Sequence, residues 1–120
     1  MMLGRQISGY FPQIEDCTQK EIALELQNVT SGHVLNSVNL KLHKGEVLGI
    51  GGLAGQGQAE LLEALYGIHH VKGKVILNGR EVQIKSPKDA IRKKIALVPE
   101  ERAIQGLFLN LGIDYNISIP

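Results

Sequence analysis

The chain has 120 residues, room for one modest domain and not for two, with 13 Lys+Arg against 12 Asp+Glu and a formal charge of +1. So even a balance supplies no bulk electrostatic pull toward nucleic acid or an acidic membrane surface, and no nucleic-acid partner is expected. No apolar run has the length of a signal-peptide core or a membrane span, and the single cysteine, Cys17, excludes an internal disulfide framework, so a reducing, cytoplasmic compartment is the default. Cys17 lies in the polar stretch Glu15-Asp16-Cys17-Thr18 with no His or second Cys near it and reads as a spectator thiol.

In chain order, residues 1–20 show neither helical nor strand period, and Gly4, Gly9, Pro12 and Glu15-Asp16 interrupt any pattern, so this stretch reads as a linker or extension. The domain proper occupies residues 21–120. Ile22, Leu24 and Leu26 alternate with Ala23, Glu25 and Gln27, and Val38, Leu40 and Leu42 alternate with Asn39 and Lys41, which predicts two half-buried strands paired antiparallel. After a turn at Lys44-Gly45, the run Val47-Leu48-Gly49-Ile50 lacks alternation, the pattern of a strand buried on both faces of a parallel sheet. A helix from about Gln58 to Tyr66 carries Leu61, Leu62 and Leu65 on one side and stops at Gly67. Asn78-Gly79 between Val75-Ile76-Leu77 and Val82-Gln83-Ile84 predicts a tight hairpin. Ser86 as N-cap, Pro87 at the first helical position and Asp89 in the first turn predict a short helix to about Lys93. Ile95-Ala96-Leu97-Val98, stopped by Pro99, reads as a second buried parallel strand. From Leu107 to Ile119 every odd position is apolar or aromatic, a two-residue period that predicts a strand. His69-His70 has no third ligand beside it and reads as a solvated connector.

The chemistry is concentrated between Val47 and Ala64, where a short apolar strand, a glycine-rich loop and a helix start follow one another. Aligned with G-x-x-x-x-G-K-S/T, the loop Gly52, Leu53, Ala54, Gly55, Gln56, Gly57 keeps both outer glycines, but Gln58 stands in the place of lysine and Ala59 in the place of Ser or Thr. Backbone N–H groups and the positive end of the following helix can hold a polyphosphate without side chains. The lysine charge on the β- and γ-phosphates and the Mg²⁺-ligating hydroxyl are lost, so hydrolysis should suffer more than binding. The other reading of the same loop is a tight strand-to-helix turn whose glycines serve only packing. A dinucleotide fingerprint, with Gly49, Gly51 and Ala54 as G-x-G-x-x-A, ranks below the triphosphate loop. It needs an acid on the ribose roughly 20 residues on, and residues 71–78 contain no Asp or Glu.

With these elements in place the chain resembles an ATP-binding cassette, and more narrowly the second of the two cassettes in the tandem ATPase subunits of bacterial importers for ribose, galactose, xylose and related sugars. The resemblance rests on Met2-Leu3-Gly4-Arg5, on Gly45-Glu46-Val47-Leu48-Gly49-Ile50 before a degenerate loop, on Ser86-Pro87-Lys88-Asp89-Ala90-Ile91, and on Ala96-Leu97-Val98-Pro99-Glu100-Glu101-Arg102. It implies an α/β fold, a partial P-loop NTPase core of the ABC type with an antiparallel β subdomain. It implies ATP and Mg²⁺ as cofactors, the loop residues 52–59 as the phosphate site, and Glu100 at the position where most cassettes carry the glutamine that senses Mg²⁺ and the membrane partner, so that Glu100 is also a possible metal ligand. The implied partners are the first cassette of the same subunit and transmembrane permease subunits, and the implied location is the cytoplasmic face of the cell membrane. Between Asn28 and Val34, where an adenine-stacking aromatic is common in cassettes, this chain offers only His33. The resemblance makes the tail a loop leading toward a helical subdomain, against the strand that its period predicts. The signature, the Asp-Glu strand end and the switch histidine do not occur in these residues, so the chain reads as an excised N-terminal portion that hydrolyses no ATP alone and self-associates through uncovered apolar surface. From a different class, the alternative is a non-catalytic α/β interaction module.

Overall fold

A computed structural model describes residues 17–119; the linker assigned to residues 1–20 falls largely outside the described residues, as does Met2-Leu3-Gly4-Arg5. In chain order the elements are β1 (Ile22–Ser31), β2 (Leu35–His43), α1 (Gln58–Leu65), β3 (Lys72–Leu77), β4 (Arg80–Val82), α2 (Pro87–Arg92) and α3 (Ile113–Ser118), with a single π-helical turn at Arg102–Gly106. The four strands form one antiparallel sheet in the order β2-β1-β3-β4. The chain is thus a small α/β unit built on an antiparallel sheet.

The core lies between one face of this sheet and α1. Leu26 and Val29 of β1, Leu35 of β2, Val75 of β3 and Leu61 and Ala64 of α1 form one buried cluster, with Leu24, Val38, Leu40, Leu65, Val71, Val82 and Ile84 packed around it. Strict alternation would turn Val29 to the opposite face from Leu26. Asn28, at φ 51, adopts the left-handed region, and the register of β1 with β2 shifts between Leu26 and Val29, so the bulge resets the phase and both side chains point inward. Gly73 of β3, at φ 99, passes so close that a Cβ there would collide with the main chain of Asn28.

The hairpin forms as its turn chemistry requires: Asn78 at φ 49 and Gly79 at φ 75 both have positive φ, and Leu77 pairs with Arg80 and Val75 with Val82. β4 ends at Val82, two residues short of the predicted Ile84. Helix α2 starts as read, with Ser86 Oγ accepting from the Asp89 N–H at 3.3 Å and Pro87 at the first helical position. Helix α1 ends at Gly67, φ 82, whose N–H bonds Ala64 O at 3.1 Å. Its apolar side is narrower than predicted, because Leu62 stays 46% exposed while Leu61 is buried.

Three predicted strands do not form. Residues 47–50 and 95–98 are irregular, with Val47 97% and Val98 89% exposed. A parallel strand is stable only when neighbours take its main-chain groups on both edges, and among the described residues nothing pairs with either segment. The tail closes on itself instead of extending. Asn116 accepts from Phe108 N–H at 2.8 Å and donates to Phe108 O at 3.1 Å and Gly112 O at 3.0 Å, while α3 occupies residues 113–118 with Asp114 in its first turn.

Candidate functional site

The site begins where β2 delivers the chain to the glycine-rich loop. At this exit His43 N–H donates to Glu46 Oε2 at 2.7 Å, and Lys44 Nζ lies 2.8 Å from Glu21 Oε1, which ties the turn to the start of β1. The chain then runs exposed through residues 47–56 and turns at two glycines, Gly55 at φ 79 and Gly57 at φ 104. Gly57 is buried against Leu35 and Val34, each about 3.0 Å from where a Cβ would stand, so the loop is pinned to the sheet at its last residue. Gly57 is also the N-cap of α1 and brings no side-chain cap, leaving the first-turn N–H groups of the helix without one. The first intrahelical bond, Leu61 N–H to Gly57 O, is 2.9 Å.

Two side chains fold back over the loop. Gln56 Oε1 accepts from Leu53 N–H at 3.1 Å, and Gln58 Nε2 donates to Leu53 O at 3.2 Å. Both carboxamides lie against Gly52, where a Cβ would collide with the Gln58 amide nitrogen and stand 3.2 Å from Gln56 Oε1. The residue in the lysine position therefore turns toward its own loop. Ala59, in the hydroxyl position, offers no polar atom.

Glu100, more than 40 positions downstream, borders a cleft with Gln58 and Ala59, which residues 52–57 do not line. A cavity of about 310 Å³ is lined by Gln58, Ala59, Leu62 and Glu63 of α1 and by Leu97, Val98, Pro99 and Glu100 of the segment after α2. Positions 59, 62 and 63 lie on one side of a helix, so the sequence carried a signal for Leu62 and Glu63 as lining residues that an apolar-stripe reading passes over. The side-chain bonds of Gln56 and Gln58 left no sequence signal beyond two glutamines flanking Gly57. Glu100 is exposed, at the rim of the cleft. Its carboxylate is an oxygen donor suited to Mg²⁺, yet no group of three or more His, Cys, Asp or Glu stands ready to hold a metal among the described residues. His33 is exposed at the β1–β2 turn and does not border this cleft. His69 pairs with Glu63 Oε2 at 2.9 Å and His70 is exposed, in keeping with a connector.

Residues 35–113 match the family model described as ABC transporter. The chain belongs to the ABC transporter family. The match covers β2, the loop, α1, the hairpin, α2 and Glu100. Among curated relatives, a galactose/methyl galactoside import ATP-binding protein of Photobacterium profundum is 42% identical over 120 residues, 99% of this chain and 24% of the relative. Its counterpart in Fusobacterium nucleatum is 42% identical over 119 residues, 97% of this chain and 24% of the relative. A ribose import ATP-binding protein of Rhizobium johnstonii is 40% identical over 121 residues, 100% of this chain and 23% of the relative. The chain thus spans about a quarter of the length of the curated relatives it matches. No solved structure matches it. No helix among the described residues is long and apolar enough to cross a membrane.

Proposed function

We propose that this chain is the N-terminal part of the second, degenerate cassette in the ATP-binding subunit of a bacterial simple-sugar importer, and that its loop takes the phosphates of ATP without turning them over. The observation that carries the reading is the cleft that joins Gln58 and Ala59, at the head of α1, to Glu100. A glycine loop that only packed would need no carboxylate across from its helix start. Family membership and the names of the relatives support the transport assignment.

In this reading residues 52–59 form the phosphate loop of a partial P-loop NTPase core, ATP with Mg²⁺ is the ligand, and Glu100 faces the metal. The parent subunit works at the inner face of the membrane with permease subunits, and its first cassette completes a nucleotide sandwich in which turnover depends on the intact site. The exposed segments 47–50 and 95–98 then become parallel strands once other parts of the parent flank them. The chain alone hydrolyses no ATP. The alternative, an interaction module with a structural loop, draws on the two glutamine bonds to Leu53.

Restoring the lost groups separates the two. Gln58→Lys together with Ala59→Thr returns a charge and a metal-ligating hydroxyl, contacts of about 1–3 kcal/mol. Calorimetry should show Mg-ATP binding at least tenfold tighter than in the wild-type chain, still without phosphate release. Unchanged affinity in a folded double variant would defeat the nucleotide reading and leave the structural loop.

A further inference from the structure

We propose that Gln56 and Gln58 are a built-in plug of the phosphate loop: two carboxamides that close it when it is empty and that a polyphosphate must displace to enter. The proposal rests on the nucleotide reading above and adds how access to that site is set. Both main-chain polar groups of Leu53 carry side-chain bonds, its N–H to Gln56 Oε1 at 3.1 Å and its C=O to Gln58 Nε2 at 3.2 Å, the C=O also accepting from the Gln56 main-chain N–H at 3.2 Å. The Gln56 oxygen thus holds a loop N–H in the way a phosphate oxygen would. The Gln58 nitrogen, standing in the lysine position, is turned onto a carbonyl of the loop and away from any incoming anion. Gly52 makes this possible, since any Cβ there would meet the Gln58 amide.

The plug is displaceable because it sits at the surface. Residues 51–56 are exposed and Gln58 is half-buried, so both carboxamides can exchange their loop bonds for water. Each such bond shifts an equilibrium by about two- to tenfold. Two of them make a weak latch that lowers affinity without abolishing it. The arrangement also accounts for polar residues at 56 and 58 without a catalytic role for either.

The test uses the 120-residue chain with inorganic triphosphate and Mg-free ATP as probes, followed by calorimetry, together with amide exchange at Leu53. In Gln56→Ala the Leu53 amide should exchange about threefold to tenfold faster, and triphosphate should bind tighter by a similar factor. Gln56→Glu keeps an acceptor for the same N–H but adds a negative charge, so Leu53 should stay protected while triphosphate binding weakens. Leu53 exchange unchanged in Gln56→Ala, or triphosphate affinity unchanged or reduced there, overturns the plug. Gln58→Lys with Ala59→Thr is the reference: if it binds triphosphate while Gln56→Ala gains nothing, the plug fails and the nucleotide reading stands. If no variant binds triphosphate, both fail together.

Discussion

Two apolar populations in this chain meet different fates. Leu26, Val29, Leu35, Leu61, Ala64 and Val75 are buried together between the antiparallel sheet and α1, whereas Val47, Leu48, Ile50 and Val98 are as apolar and remain open to solvent. The difference is the range of the partners each needs. Two of the three antiparallel pairs close across one short connection, as β2 follows β1 after residues 32–34 and β4 follows β3 after Asn78-Gly79, and only β1 with β3 pairs at long range. A buried parallel strand needs neighbours delivered by long crossovers, and local sequence cannot supply them.

The contrast should break first at the packed core. Leu26→Ala removes a fully buried side chain from the centre of the cluster and is expected to cost about 2–5 kcal/mol, read as a fall in the midpoint of chemical denaturation. For a sheet of this size that leaves little folded population. A loss under about 1 kcal/mol, within the range of an ordinary surface change, would mean that α1 and the sheet do not share one core.

The next largest effect tests the bulge. Gly73→Ala places a methyl group against the main chain of Asn28 while holding φ near 99, and the combined conformational and steric cost is expected at about 1–3 kcal/mol. Gly79→Ala is its control, because Gly79 at φ 75 has open space around it. Its cost should be confined to the left-handed conformation, about 1 kcal/mol. Equal losses at the two sites would show that the close approach of β3 to β1 contributes nothing.

These elements were legible for a physical reason. The β1–β2 pair, the Asn78-Gly79 hairpin and the Ser86-Pro87 start of α2 are each written in residues within a few positions of one another, and each forms. The bulge at Asn28 was not legible, because alternation through Val29 gives no hint that a left-handed residue resets the phase. The tail misled for a related reason: its two-residue period is real, but Asn116 bonds to Phe108 and Gly112 and closes the segment into a turn and helix. At the candidate site, the glycine spacing marked residues 52–59, and Glu100 was marked only by the resemblance to an ATP-binding cassette. That one cleft joins Gln58 and Ala59 to Glu100, with Leu62 and Glu63 in its wall and the loop glycines outside it, depends on how α1 and the segment after α2 come together, which no local pattern encodes.

A smaller effect is expected at the cap of α2. Ser86→Ala removes the side-chain acceptor for Asp89 N–H and should cost about 1 kcal/mol. Asp89 is held below its usual carboxylate value by the Ser86 hydroxyl first, then by the Lys85 N–H, with Lys93 and Arg92 adding favourable charge. A carboxylate with a lowered folded value contributes its stability above the ordinary value of 3.8 and loses it as pH falls through the lower folded value. The wild-type chain should therefore lose stability in that acid window, and Ser86→Ala should lose less there. An acid limb identical in both would detach Asp89 from the cap.

The smallest effect on folding is expected where the two populations differ most. Val47 and Val98 are 97% and 89% exposed, so neither removes apolar area from water in the chain as it stands. Val47→Ser and Val98→Ser should each change unfolding free energy by less than about 0.5 kcal/mol, the usual span of a surface substitution. Association should respond instead. Ile50 at 43%, Leu53 at 74% and Ile104 at 83% exposure add to the apolar side chains left open to solvent, and exposed apolar surface draws copies together. Light scattering at tens of micromolar should show self-association in the wild-type chain that the double variant reduces. In a parent where both segments are flanked by strands, the same two changes place hydroxyls in a dry sheet and should cost several times more than in this chain. Equal, negligible costs in both settings would mean that these segments stay exposed in the parent too, and the parallel core assigned to them would have to be abandoned.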